Sequence, residues 1–404
     1  MIADVVVIGG GPAGLMAAGV ASQNGRKTVL IEKNSILGKK LLITGKGRCN
    51  VTNGADISEF FDFIVKNPRF LYSAFYNFTN LDVINFFEDK GIKLKEERGK
   101  RIFPVSDRSN DILTGLKKHI KDVTVIHGKA TGLVIEENAV KGVSLSDGTV
   151  IGCESVVLAT GGVSYPLTGS TGEGHKLAKK HGHSVTELKP ALVPLVLYGK
   201  YPKLLEGLSL RNISVKLYDE NKKELYSDFG EMLFTKNGVS GPVILSMSSF
   251  VEDNKKMTLS IDLKPALDEE KLEKRILSDF EKFANKNFSN SLNELLPKKL
   301  IPVVVELSGI NPDTKVNQIT RAERKTLVGL LKNLSFEIKS KGDIEEAIIT
   351  DGGISVKEIN PKTMESKIIN GLFFAGEIID VHGYTGGFNL QIAFSTGYTA
   401  GMNC

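Results

Sequence analysis

The opening thirty-two residues constrain the fold more than any other stretch. Val5–Ile8 is an apolar, β-branched run, the pattern of a strand buried on both faces. Gly9-Gly10-Gly11-Pro12-Ala13-Gly14 follows at once. Helical periodicity then continues to about Asn24, and Gly25 supplies the stop. Thr28–Ile31 reads as a second strand and ends on Glu32, with Lys33 next. This order is a complete βαβ opening. In that context the glycine spacing has a mechanism. Gly9 permits the tight turn, Gly11 lets the backbone approach a pyrophosphate, and Gly14 lets the helix close on the strand. Pro12 and Ala13 start the helix, whose free N–H groups and positive dipole end suit phosphates. Glu32 stands where an acid binds ribose hydroxyls and disfavours a 2′-phosphate. The competing reading is a glycine turn that serves the fold alone.

A chain of 404 residues calls for two or three domains. Val123–Ile126 and Ser155–Ala159 read as further strands, and residues 131–146 alternate as a hairpin or meander. From about Pro190 short alternating strands dominate, and residues 268–337 read as mainly helical. Leu372–Ala375 is again a strand, followed by a glycine loop and a small-residue helix from about Asn389. The fold class that follows is α/β. A Rossmann-like nucleotide domain spans 1–190 and is completed by 347–404. Between them lie a β-rich insert at 191–265, with return strands near 336–346, and a small helical domain at 266–335.

The net charge of +5 is spread along the chain, a weak hint of anionic partners. Cys49, Cys153 and Cys404 are too far apart for a disulfide framework or a zinc site, which favours a cytoplasmic setting. Asp4 and the short Val5–Ile8 run do not match a signal peptide, and no stretch approaches the roughly 18 apolar residues of a membrane span.

The segment GLFFAGEIID, Gly371–Asp380, resembles the second FAD motif of two-dinucleotide-type flavoproteins, with Gly376 in the turn, Glu377 the acid for the ribitol and Asp380 its neighbour. The resemblance then widens. GKKLLITGKGRCNVTN (Gly38–Asn53), RIFPVSD (Arg101–Asp107), ATGGVSYPLTGSTGEGHKLAKKHGH (Ala159–His183), PALVPL, LFTKNGVSGPVIL and HGYTGGFNLQ look like one family, the BaiN-like or aminoacetone oxidase family of FAD-dependent oxidoreductases. It covers nearly the whole chain and is weakest at about 265–340. The resemblance implies an FAD domain, a β-barrel-like insert and a small helical domain. It also implies substrates as different as unsaturated steroid or bile-acid ketones and aminoacetone.

Lys39, Lys40, Lys46 and Arg48 put four cations with glycine spacers beside the first phosphate loop. The resemblance carries Lys40, Thr44, Gly45, Arg48, Cys49 and Asn50 over as cofactor-proximal; a solvated basic loop is the plainer reading. Ala130 is placed to offer its backbone to an adenine, and Thr160 and Gly161 close a strand near the cofactor. Gly386, Gly387, Phe388, Asn389 and Leu390 bring bare backbone and a helix start towards a flat ring. Cys49 has no partner five residues on, where Gly54 stands, so packing is expected rather than a thiol–disulfide cycle. His175, His181 and His183 have no matching carboxylate or thiolate set, and no metal site is expected. His382 and Tyr384 are the candidates for a catalytic acid. Without a second Gly-x-Gly-x-x-Gly, NAD(P)H is expected only as a transient co-substrate.

The expected activity is hydride transfer through flavin N5, reducing the conjugated C=C of a small hydrophobic ketone. The alternatives are an O₂-using oxidase of a small amine such as aminoacetone, and an RNA-binding or RNA-modifying flavoprotein. The latter rests on the positive charge and on the Lys/Arg-rich helices near 271–275 and 321–325. Those helices also carry Glu, the pattern of a solvated face, so no stable nucleic-acid complex is expected.

Overall fold

The computed structural model describes residues 1–404. The backbone divides into two units, Met1–Ala191 with Ile344–Cys404, and Leu192–Asp343.

The first unit holds a five-stranded sheet in the order Leu372–Phe374, Ser155–Leu158, Val5–Ile8, Thr28–Glu32, Thr124–His127. Every neighbouring pair is parallel. The first four of these strands are buried along their whole length, which is why they carry no polar face. The C-terminal strand takes its place beside Ser155–Leu158, so the two ends of the chain complete one sheet. The helix Pro12–Gln23 crosses from Val5–Ile8 to Thr28–Glu32. The final helix, Phe388–Asn403, packs on it through small residues. A Cβ on Gly397 would lie 2.4 Å from the Ala13 carbonyl oxygen, and one on Gly401 2.5 Å from that of Ala17. Added methyl groups there would cost about 1–3 kcal/mol each in overpacking. A separate antiparallel sheet joins Ala130–Glu136, Ala139–Leu145 and Val150–Gly152.

The second unit is a closed six-stranded barrel in the order Leu195–Leu197, Gly238–Ser240, Glu224–Thr235, Ser209–Tyr218, Met257–Asp262, Leu334–Lys341. The last strand pairs back onto Leu195–Leu197, so no sheet edge is left open. Three helices, Glu269–Lys282, Ile301–Ser308 and Arg321–Lys332, lie in sequence between its last two strands. Thr320 and Glu323 form a capping box at the last of them. The helical reading of 268–337 runs too far. The helix stops at Lys332, and burial then alternates, with Leu334, Phe336 and Ile338 inside and Ser335 and Glu337 outside. That period of two defines a strand. No helix is long and apolar enough to cross a membrane.

Candidate nucleotide cleft

The glycine loop divides its labour among three residues. Gly9 sits at φ 111°, and a Cβ there would lie 2.4 Å from the Ala159 carbonyl oxygen. A Cβ on Gly14 would lie 1.9 Å from the Gly9 oxygen. Both glycines are therefore required by the protein's own packing. Gly11 is different. Its φ of −82° suits any residue, and a Cβ there would meet nothing within 4 Å, because Gly11 faces a cleft. Pro12 opens the helix where no N–H is needed. The N–H groups of Ala13 and Gly14 have no intrahelical acceptor at this terminus.

At one end of the cleft Glu32 is already engaged. It accepts from the Gly10 N–H at 2.7 Å and from the Asn34 N–H and side-chain amide at 2.7 Å each. Lys33 donates to Thr171 Oγ1 at 2.7 Å and to Glu173 Oε2 at 2.6 Å. Lys129 reaches the other oxygen of Glu173, also at 2.6 Å. Lys129 and Lys33 together hold the Glu173 carboxyl at about 2. Gly128 and Ala130 complete this wall.

The other end is a connected polar network. Lys40 Nζ lies 2.6 Å from Glu377 Oε2 and 2.7 Å from Ser164 Oγ. Ser164 donates to Glu377 Oε1 at 2.8 Å, and the Thr350 N–H donates to the same oxygen at 2.9 Å. Thr350 Oγ1 in turn accepts from the Val163 and Ser164 N–H groups. Burial pushes the Glu377 carboxyl up. The Lys40 charge and these hydrogen bonds outweigh it and hold the group below its ordinary range. Asn389 accepts from the Gly383 N–H at 2.8 Å and donates to the Gly383 and Tyr384 carbonyls, clamping the glycine loop before the last helix.

The cleft thus brings together Gly9, Gly11, Pro12, Ala13, Glu32, Lys33, Lys40, Thr44, Ala130, Thr160, Gly161, Gly376, Glu377, Asn389 and Leu390. The structure places other expected residues off its wall. Arg48 lies over the Phe103 ring, 4.3 Å from its centroid, and pairs with Glu97 and Asp107. Cys49 is fully buried, and desolvation pushes its thiol up to about 12. Asn50 carries a buried Oδ1 with no partner. Gly45, at φ 56°, approaches the Asn50 nitrogen. The Gly386 carbonyl accepts from Asn53, and Gly387 lies against the Thr52 backbone. Phe388 stacks on Phe63 at 4.6 Å. Tyr384 meets the Phe63 ring edge-on, and His382 is buried beside Asp351. Sequence reasoning did not single out Ser164, Thr350, Asn34, Lys129 or Glu173. Asn34 acts on Glu32 two residues away, while Ser164 and Thr350 are bonded across 186 residues, a tertiary signal.

The cleft fits a dinucleotide on two independent observations. The open space at Gly11 is a cradle that a side chain would fill, and the Ala13 and Gly14 N–H groups at the helix start have no side-chain cap. An uncapped helix start lies between the two ends.

Comparison with known proteins follows the same lines. The chain matches the HI0933-like protein Rossmann domain over residues 3–403. It is 30% identical over 406 residues to the ribosomal RNA dihydrouridine synthase of Escherichia coli, covering 99% of this chain and 97% of that one. It is 32% identical over 406 residues to the 3-dehydro-bile acid delta(4,6)-reductase of Clostridium scindens, covering 98% and 97%. Among solved structures, 3-ketosteroid-delta4-(5alpha)-dehydrogenase from Rhodococcus jostii has a TM-score of 0.53 at 17% identity, covering 100% of this chain and 96% of that one, a likeness of fold. The chain belongs to the HI0933-like Rossmann family, and it is an oxidoreductase with the FAD-binding fold of the flavoproteins.

Proposed function

We propose that this protein is an FAD-dependent reductase of a C=C bond conjugated to a carbonyl, with NAD(P)H as the hydride donor. One observation carries the reading. Relatives that match nearly the whole chain are named for the same bond chemistry on different molecules, a bile-acid Δ4,6 ketone and a uridine in ribosomal RNA. In both, hydrogen adds across a C=C that a carbonyl polarises. Bound FAD would supply a hydride acceptor and donor at N5.

The chain's own residues supply position and charge. The Gly9–Gly14 loop and the N–H groups of Ala13 and Gly14 would hold the pyrophosphate. Glu32, Asn34 and Ala130 stand at the AMP end. Lys40, Thr44, Glu377, Asn389 and Leu390 stand at the flavin end. Lys40 and Glu377 neutralise each other, so the ring would face an ion pair rather than a bare charge.

The leading substrate class is a small hydrophobic enone of steroid or bile-acid type. A uridine-containing RNA is the second reading, favoured by the Escherichia coli and Haemophilus influenzae relatives. The test reduces the FAD-loaded protein anaerobically and offers an enone bile acid, ribosomal RNA, aminoacetone with FAD left oxidised, and O₂. Reoxidation by the enone with formation of the saturated ketone is expected. Reoxidation by RNA alone transfers the reading to uridine, and turnover of the amine alone overturns it.

A further inference from the structure

Four ionisable side chains meet in the first unit next to the Lys40–Glu377 end of the cleft, and the reaction proposed above leaves them without a task. His382 is 2% exposed, and neither ring nitrogen has a hydrogen-bond partner. Its Nδ1 stands 3.4 Å from Asp351 Oδ1. Lys66 Nζ lies 3.0 Å from the same Asp351 oxygen and 2.9 Å from Asp380 Oδ1. The backbone builds this cluster. His382 stands opposite Lys66 where His382–Gly383 pairs antiparallel with Ile64–Lys66. Asp351 ends the strand Ile349–Asp351. Both segments reach the cleft, since Ile349 lines it, as does Val381, which separates Asp380 from His382.

The arrangement is poor as packing. A buried polar group left without a partner costs about 1–3 kcal/mol. It makes sense as a site for one more proton. With a neutral imidazole, two carboxylates face one ammonium and the cluster is net negative; an imidazolium brings it to neutrality. Exposure is graded, from 34% at the Lys66 side chain and 29% at Asp351 to 6% at Asp380 and 2% at His382, so the cluster runs from solvent inward.

We propose that His382 is the proton store of this enzyme, taking up a proton when two electrons enter the cleft and releasing it to the reaction when they leave. The assignment rests on the C=C reduction proposed above. That reaction consumes NAD(P)H and one H⁺ and forms two C–H bonds. The hydride brings one hydrogen and both electrons, and the H⁺ brings the other hydrogen. The H⁺ enters past Lys66 and Asp351 and forms an N–H bond on the imidazole. On release that bond breaks, and its electron pair stays on the ring.

The surroundings suit such a cycle. Burial lowers the proton affinity of His382 most. Asp351, Asp380 and Glu377 work against burial, and Lys66 works with it. The net direction is down, so the resting imidazole is neutral at pH 7. Negative charge added to the cleft raises its affinity through Coulomb attraction in a medium of low dielectric.

The test needs no C=C substrate. The FAD-loaded protein is reduced electrochemically, and protons taken up per two electrons are recorded with an indicator dye. His382→Asn should take up fewer, by at most about one per cofactor, the capacity of one imidazole. Two further variants keep His382 in place. Asp351→Asn removes an attractive charge and should move the midpoint of proton uptake to lower pH. Lys66→Gln removes a repulsive one and should move it to higher pH. Equal uptake in wild type and His382→Asn overturns the proposal. If His382→Asn does not fold, midpoints that fail to move in opposite directions overturn it instead. His382-dependent uptake without enone turnover refutes the proposed reaction and keeps the store; enone turnover with equal uptake does the reverse.

Discussion

Gly11→Ala separates a glycine kept for a ligand from one kept for the fold. The added methyl meets no protein atom within 4 Å, and the backbone angles of Gly11 are open to alanine. Two small effects on the free protein oppose each other. Fewer unfolded conformations stabilise it by about 0.4–1 kcal/mol. Alanine is a poorer N-cap than glycine, by an amount of the order of 1 kcal/mol. The unfolding midpoint of cofactor-free protein should therefore move by no more than about 2–4 °C, the shift that 1 kcal/mol produces in a domain of this size. Cofactor binding should suffer far more, because the methyl stands where the pyrophosphate must approach the backbone. FAD at a hundred times its dissociation constant stabilises wild type by about 2.7 kcal/mol, and most of that should vanish in the variant. The assay is thermal unfolding of both deflavinated proteins with and without added FAD, paired with a fluorescence titration. Equal FAD stabilisation in both proteins would refute the assignment of Gly11 to the cofactor. A loss of several kcal/mol in the free variant would show that the open space at Gly11 is misread.

Gly387→Ala should behave oppositely. Its Cβ would fall 2.3 Å from the Thr52 backbone, at φ 101°. Left-handed strain of about 1–2 kcal/mol and overpacking of about 1–3 kcal/mol should lower stability of the cofactor-free protein, as measured by urea denaturation. Cys49, with its thiol pushed up to about 12 by burial, should resist alkylation at pH 8 until the protein is unfolded, and Cys49→Ser should accept the same two electrons as wild type; rapid labelling of the native protein would contradict this. Lys40→Met leaves Glu377 without its cation, and the loss at neutral pH should approach about 3–5 kcal/mol, with most of it recovered in Lys40→Met/Glu377→Gln. Because the Glu377 carboxyl is depressed, its contribution to stability is present above its unfolded value and lost as pH falls through the folded one. In Lys40→Met burial is no longer opposed by that cation and the carboxyl rises, so the variant's deficit relative to wild type should shrink as pH falls and Glu377 takes up a proton, read in a denaturation series.

The elements of the first unit were legible because their signals are local. The apolar runs at Val5–Ile8 and Ser155–Leu158 have no polar face to misread, and the glycine loop lies between a strand and a helix. The barrel was legible as alternation, with return strands set near 336–346, but not strand by strand. Which strand joins Leu195–Leu197 is decided by Leu334–Lys341, well over a hundred residues later and past three helices. At the cleft, sequence placed residues of the right type in the right segments without showing what each one touches. Arg48 looked like a phosphate ligand among four cations, yet Glu97 and Asp107 lie within its reach and Phe103 under its plane. Nothing in the spacing of residues 38–53 reveals those partners. Gly387 looked like a glycine kept bare for a flat ring, and the atom its Cβ would strike belongs to Thr52.

The charged residues of the cleft share a further property. Glu32 accepts from Gly10 and Asn34, Lys33 pairs with Glu173, and Lys40 pairs with Glu377. Each is fixed by the protein before any ligand arrives. Under the proposed function, much of cofactor recognition then falls to what the fold leaves open, namely the helix-start N–H groups and the bare face of Gly11. The ion pairs hold the walls at a set distance and keep the charges balanced, so little must reorganise on binding. Their loss should therefore appear first as lost stability of the free protein and only second as weaker binding. The loss of the Gly11 opening should appear in the reverse order. His382 stands apart from both groups, buried and unpaired although a carboxylate lies beside it. Under the proton-store proposal, His382 is the group beside this cleft that changes its protonation while the ion pairs around it stay fixed.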